Sequence, residues 1–240
     1  MKRGFVILAA LLLISTASVF GDAFVVDDFT STSDSSGTWS VSLGTAGGTT
    51  VASQTAIETG LADVAGGKRT TVMVSNPQPY NSNVTMGVLS EFGFSGRTGF
   101  FTMSTGIAGG RGQFTTKYDN MNADLSFGDR VQVSMYADHL GNQVPTAMSV
   151  TLSDGTNSAT VTKLWTEYTG SSAFEEYDFT FEDFLAAAPS LDLSSIQSMQ
   201  FEFVGDKGCN VIVDYIAAIP EPATITLLGL GAIALIRRKK

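Results

Sequence analysis

The chain has 240 residues, with 14 Lys or Arg against 23 Asp or Glu, a formal net charge of −9, one cysteine and one histidine. A single thiol excludes an internal disulfide, and one thiol with one imidazole cannot build a His/Cys zinc site. The acidic balance disfavours nucleic acid, whose phosphates need cationic partners, and anionic lipid.

The chain opens MKRGFVILAALLLISTASVFGDA. Lys2 and Arg3, an apolar stretch from Phe5 to Ile14, then small and polar residues give the layout of a secretory signal peptide. Its apolar core is too short to be a first transmembrane helix. Cleavage is expected after Gly21, with Ala23 as the second choice, so residues 1–21 are assigned to the signal. Between the signal and the tail, residues 24–218 carry eight Lys or Arg against 21 Asp or Glu, a net of −13. This body is long enough for one sizeable core or at most two small domains.

A first strand is expected at Ala23 to Val26, leading into Asp27 and Asp28. Residues 30–62 are rich in Ser, Thr and Gly and can be read as a mobile linker, although Trp39, Val41 and Leu43 alternate and are expected to pack. Strands follow at Val72 to Val74, Val84 to Leu89, Gly99 to Met103 and Gly112 to Tyr118. Later segments alternate with period two: Val131, Val133 and Met135; Met148, Val150 and Leu152; Ala159 and Val161; Met199, Phe201 and Phe203. Turn residues stand between them at Gly141-Asn142, Asp154-Gly155 and Asp206-Lys207-Gly208. A helical turn is predicted at Glu182 to Ala187, and Ser194-Ser195-Ile196 leads into the next strand. Strands without intervening long helices predict an all-β fold, an antiparallel β-sandwich of jelly-roll-like type over residues 22–218.

Candidate chemistry in the body is sparse. His139 lies in a turn sequence, and no Gly-x-Ser-x-Gly elbow supplies a nucleophile for it. Glu175-Glu176 and Glu182-Asp183 are carboxylates of the type glycosidases use, and acid pairs beside aromatics are also common on β surfaces without catalysis. Cys209 reads as a small apolar residue at the start of a strand. Trp165 and Tyr168 are the candidate platform for a glycan, since sugars dock on flat apolar faces; core packing is the other fate of such rings.

The chain ends IPEPATITLLGLGAIALIRRKK. From Ala223 to Ile236 there is no charge, which as a helix spans about 21 Å at 1.5 Å per residue. That is short of a hydrocarbon core of about 30 Å, but Arg237, Arg238, Lys239 and Lys240 can snorkel and hold their end in the cytoplasm. A C-terminal transmembrane helix is therefore expected. Pro220 and Pro222 cannot lie inside it, and fix its start.

Pro220-Glu221-Pro222, an apolar run containing Leu228-Gly229-Leu230-Gly231 and a terminal basic cluster together resemble the PEP-CTERM sorting signal of Gram-negative bacteria. The resemblance covers residues 219–240. It implies export, transient residence in the inner membrane, and processing by an exosortase-type enzyme near Pro220, Glu221 and Pro222. Delivery to the cell surface or to exopolysaccharide in the extracellular matrix would follow. Val26-Asp27-Asp28-Phe29, Ala65-Gly66-Gly67-Lys68-Arg69 and Phe179-Thr180-Phe181-Glu182-Asp183-Phe184 with Leu193-Ser194-Ser195-Ile196 are similar to uncharacterised surface proteins with this tail, and the last pattern also to carbohydrate-binding modules. That second resemblance implies a structural calcium tying the first strand to the last, for which Asp27, Asp28 and Asp214 are the candidate ligands. No other cofactor is implied. The expected function is a non-enzymatic surface or matrix protein; the alternative left open is a secreted carbohydrate-binding module or a glycoside hydrolase.

Overall fold

The computed structural model describes residues 23–32, 38–45, 52–76, 82–94, 97–105, 111–139, 146–165, 174–205 and 208–220. Within them the alternating segments become β1 (Phe24–Asp27), β2 (Thr38–Thr45), β3 (Ala52–Thr59), β4 (Lys68–Asn76), β5 (Ser82–Phe94), β6 (Arg97–Thr105) and β7 (Arg111–Ala123). The second half adds β8 (Gly128–His139), β9 (Thr146–Ser153), β10 (Ser158–Trp165), β11 (Glu175–Thr180), the helix α1 (Phe181–Ala187), β12 (Ile196–Gly205) and β13 (Cys209–Pro220). One sheet runs β11-β8-β13-β6-β5-β2, with β1 also on β13; the other runs β10-β9-β12-β7-β4-β3. The described pairings are antiparallel. The all-β, two-sheet sandwich expected from the sequence is what the chain forms.

The inner faces follow from strand parity. Met199, Phe201 and Phe203 of β12 lie opposite Leu152, Val150 and Met148 of β9, and all six are buried. Phe101 of β6 meets Phe114 of β7 with ring centroids 4.5 Å apart, so aromatic side chains from the two sheets interlock. Each fully buried Phe stabilises the fold by about 1.5–3 kcal/mol. Cys209 is buried at the start of β13, as its setting suggested.

Helix α1 forms where a helical turn was predicted. Thr180 caps it by accepting from the Asp183 amide, and Phe181 and Phe184 turn inward. The Asp154-Gly155 turn closes the β9–β10 hairpin, and a 3-10 turn at Leu193–Ser195 leads into β12.

Two features differ from simple alternation. In β8 the core residues Val131, Val133 and Met135 are buried, but so are Gln132 and Ser134 between them. This strand is central, flanked by β11 and β13, and Gln132 donates to Asp178 at 2.9 Å and accepts from the Tyr215 hydroxyl at 2.7 Å. The Ser/Thr/Gly-rich region contains β2, in register with β5, and β3, in register with β4. Trp39, Val41 and Leu43 lie on β2, and their side chains are outside the described residues, as is the Gly141-Asn142 turn.

Candidate functional site

The last strand holds one sheet together. β13 pairs with β8 along its length, while its other edge is shared end to end by β6, opposite Asn210 to Val213, and β1, opposite Ile216 to Ala218. Ala218 lies opposite Phe24 on one side and Val131 on the other; Ile219 faces Arg130 and Pro220 faces Gly128. The first proline of the Pro-Glu-Pro sequence is therefore the last residue of a sheet strand. A proline is tolerated there because a strand end need not supply another ladder N–H. The sheet thus runs two residues into the segment 219–240 read as the sorting signal. Because β1 is antiparallel to β13, the chain enters the sandwich and leaves it at the same end.

Gly128 makes the close approach at that end possible. A Cβ there would stand 2.7 Å from the Ile219 carbonyl oxygen and 3.1 Å from the Phe181 ring. Beside it opens a hollow of about 720 Å³, lined among others by Gly128, Asp129, Phe181, Glu182 and Leu185. Arg130, also at this end, pairs with Asp129 at 2.9 Å and with Asp178 at 3.2 Å. The remaining signal residues, Glu221, Pro222 and Arg237 to Lys240, lie outside the described residues, as do residues 1–21. Among the described residues no helix is long and apolar enough to cross a membrane.

Asp27 lies at the core of an ionic cluster that sequence reading missed. Arg69 of β4 is wholly buried and donates from Nη1 to Asp27 Oδ2 and from Nε to Glu58 Oε2, each at 2.8 Å. Its Nη2 reaches the Ser31 carbonyl at 3.0 Å, and its guanidinium stands 5.5 Å from the centre of the Phe29 ring. Glu58 also accepts from the Thr32 hydroxyl at 2.9 Å. Glu58, Arg69 and Tyr118 are direct cross-strand partners on β3, β4 and β7, so sheet register brings them into one row. Asp27 reaches that row from β1 on the opposite sheet, which makes the pair a bolt between layers.

The charges fit this geometry. Burial works against the Arg69 cation, but Asp27 and Glu58 outweigh it and raise its pKa, so it is held protonated. Burial pushes Asp27 up, opposed by Arg69 and by the Phe29 amide, which donates to Oδ1 at 2.8 Å. Burial and then the Asp27 charge lift the Tyr118 phenol well above its usual value. The Tyr118 hydroxyl makes no hydrogen bond of regular geometry. The signal available in the sequence was parity: Arg69, Thr71 and Met73 are the buried row of β4, and Val72 is only half-buried.

Of the other candidates, Asp28 follows β1 and Asp214 lies within β13. Asp28 Oδ1 caps a local turn, accepting from the Thr30 amide at 3.0 Å and its hydroxyl at 2.6 Å. Asp214 is buried in β13 at an irregularity between Val213 and Tyr215. Among the described residues no group of three or more His, Cys, Asp or Glu is placed to hold a metal ion. Trp165 ends β10 with its side chain outside the described residues, and Tyr168 lies wholly outside them.

No curated protein matches the chain. Among solved structures, it is similar to a family 11 carbohydrate-binding module of a cellulosomal cellulase of Clostridium thermocellum: 15% identity, 83% of this chain and 95% of the other covered, TM-score 0.39. A family 30 module of another cellulosomal cellulase of Clostridium thermocellum matches at 11% identity, 57% and 82% coverage and TM-score 0.41. A module specific for non-crystalline cellulose, CBM28, matches at 14% identity, 56% and 79% coverage and TM-score 0.37. At the end of the chain, where β13 delivers Pro220, residues 218–240 match the PEP-CTERM protein-sorting motif, and the protein carries that sorting signal.

Proposed function

We propose that this is an exported, non-enzymatic protein of the cell surface or extracellular matrix, whose β-sandwich is sorted and processed through its C-terminal signal. The observation that carries the reading is the sorting motif over residues 218–240, set directly against the last strand of a folded body. In this reading an exosortase-type enzyme recognises Pro220, Glu221 and Pro222. The apolar run holds them at the membrane face, and Arg237 to Lys240 fix the orientation. The acidic body, at a net of −13, suits dispersion in an aqueous exterior.

Replacing Pro220, Glu221 and Pro222 together by alanine leaves hydrophobicity and the basic cluster untouched. Export and insertion are expected to persist while full-length protein accumulates in the inner membrane. Fractionation of a host with an epitope inside the body reads size and location together. Shortening and release equal to the parent would refute the reading. A glycan array on the released protein tests the second expectation, glycan binding through Trp165 and Tyr168.

A further inference from the structure

A cut at Pro220-Glu221-Pro222 in the folded chain falls close to the body. Pro220 is paired with Gly128, so its Cα lies about 5 Å from that strand, and two further residues to Pro222 reach at most about 7 Å more. An active site that grips Pro220-Glu221-Pro222 is thereby brought to the end face of the sandwich. That face is not uniformly polar: Phe127, next to Gly128, is 40% exposed and Leu185 of α1 is 37% exposed, two of the five large apolar side chains exposed among the described residues. Between β8 and α1 lies the hollow lined by Gly128, Asp129, Phe181, Glu182 and Leu185.

From this geometry we infer that Phe127, Leu185 and the hollow beside Gly128 form the docking surface for the membrane-embedded processing enzyme, a second contact beyond the sorting motif itself. The inference rests on the proposed processing of Pro220-Glu221-Pro222. The place where the chain leaves the fold selects this face. Position selects the occupant: Pro220, the last described residue, is paired with Gly128 beside the hollow, so the enzyme that holds the motif is the protein brought against this face. The surface helps the enzyme distinguish a folded substrate from any chain with a similar tail.

The test is the full-length chain in a host with a tagged processing enzyme. Phe127→Glu and Leu185→Glu, separately and together, are expected to slow shortening several-fold and to leave the melting temperature of the released product within a few degrees of the parent. A flexible insertion of about ten residues between Ile219 and Pro220 frees the motif from the face, so adding the two substitutions to it is expected to change nothing further. A photoreactive phenylalanine analogue at position 127 is expected to cross-link to the tagged enzyme. Processing of the folded double variant at the parental rate would overturn the docking surface, as would a cross-link to lipid alone. Failure of the alanine replacement at 220–222 to block shortening would instead remove the sorting reading beneath it.

Discussion

Two aspartates hold this fold in opposite ways. Asp27 is buried and spends both carboxylate oxygens inside the protein, one on Arg69 and one on the Phe29 amide. Asp154, at the β9–β10 turn, is solvated, and accepts from the amides of Thr156 at 2.7 Å and Asn157 at 2.6 Å, from the Asn157 side chain at 3.0 Å and from the Asp192 amide at 3.0 Å. The first ties two sheets through charge in a dry interior; the second ties a hairpin to the loop before β12 through backbone donors in water. What differs is the cost of losing a partner. A buried charge left alone has no water to turn to, whereas an exposed turn resolvates.

The largest effect is expected at Arg69. Arg69→Met leaves the Asp27 and Glu58 carboxylates buried without their cation, and should cost about 3–5 kcal/mol in urea unfolding. Were the loss no greater than that of an exposed ion pair, the buried bolt would not be what closes β1 onto the body. Next comes Gly66, which lies at φ +76° just before β4, where a Cβ would collide with the Asp119 carbonyl oxygen. The left-handed backbone alone makes Gly66→Ala cost about 1–3 kcal/mol, and the collision adds to it. A variant as stable as the parent would mean that this turn does not set the register of β4 against β7.

A pH series sharpens the comparison. The Asn157 amide, with the Asn157 side chain and the Asp192 and Thr156 amides, holds Asp154 well below its ordinary value of 3.8. Stability from this carboxylate is therefore complete above about pH 4 and is lost as pH falls through the lower folded value. Asp154→Asn should be less stable than the parent near neutrality, with the gap closing as acid is added. Asp27, raised by burial, has the opposite sign, but it is present in both proteins and cancels in the difference. A gap that stays constant from about pH 6 to about pH 2 would show that the turn does not need the ionised group. The smallest effect belongs to Tyr118→Phe. Its hydroxyl makes no regular hydrogen bond, so removal should change stability by less than about 1 kcal/mol. A large loss would reveal that the phenol is an essential member of the Asp27 cluster.

Legibility followed chemistry that is local in the chain. The rows Met199, Phe201, Phe203 and Met148, Val150, Leu152 announce their inward faces because side chains alternate along a strand. Strand β3 was hidden, since an edge strand reading ASQTAIET has five polar residues among eight and Ile57 as its one large apolar side chain, so it carries no hydrophobic period. Among candidate site residues, Asp27 and Asp28 stand out as calcium ligands through the resemblance to carbohydrate-binding modules, but nothing marks the guanidinium that Asp27 meets. Arg69 is 42 positions away, and nothing local joins the two.

By itself the sequence determined the all-β class, most strand positions, the α1 turn and the sorting signal at residues 218–240, because periodicity, turn residues and a tripartite motif are all written within short stretches. Only the tertiary structure decided that β13 stands between β8 and the β6 and β1 edge, that Arg69 bolts β1 to the opposite sheet, and that Pro220 leaves the fold beside Gly128. Those outcomes depend on pairings between segments far apart in the chain, whose register is set by burial on both sheets at once and by no single segment.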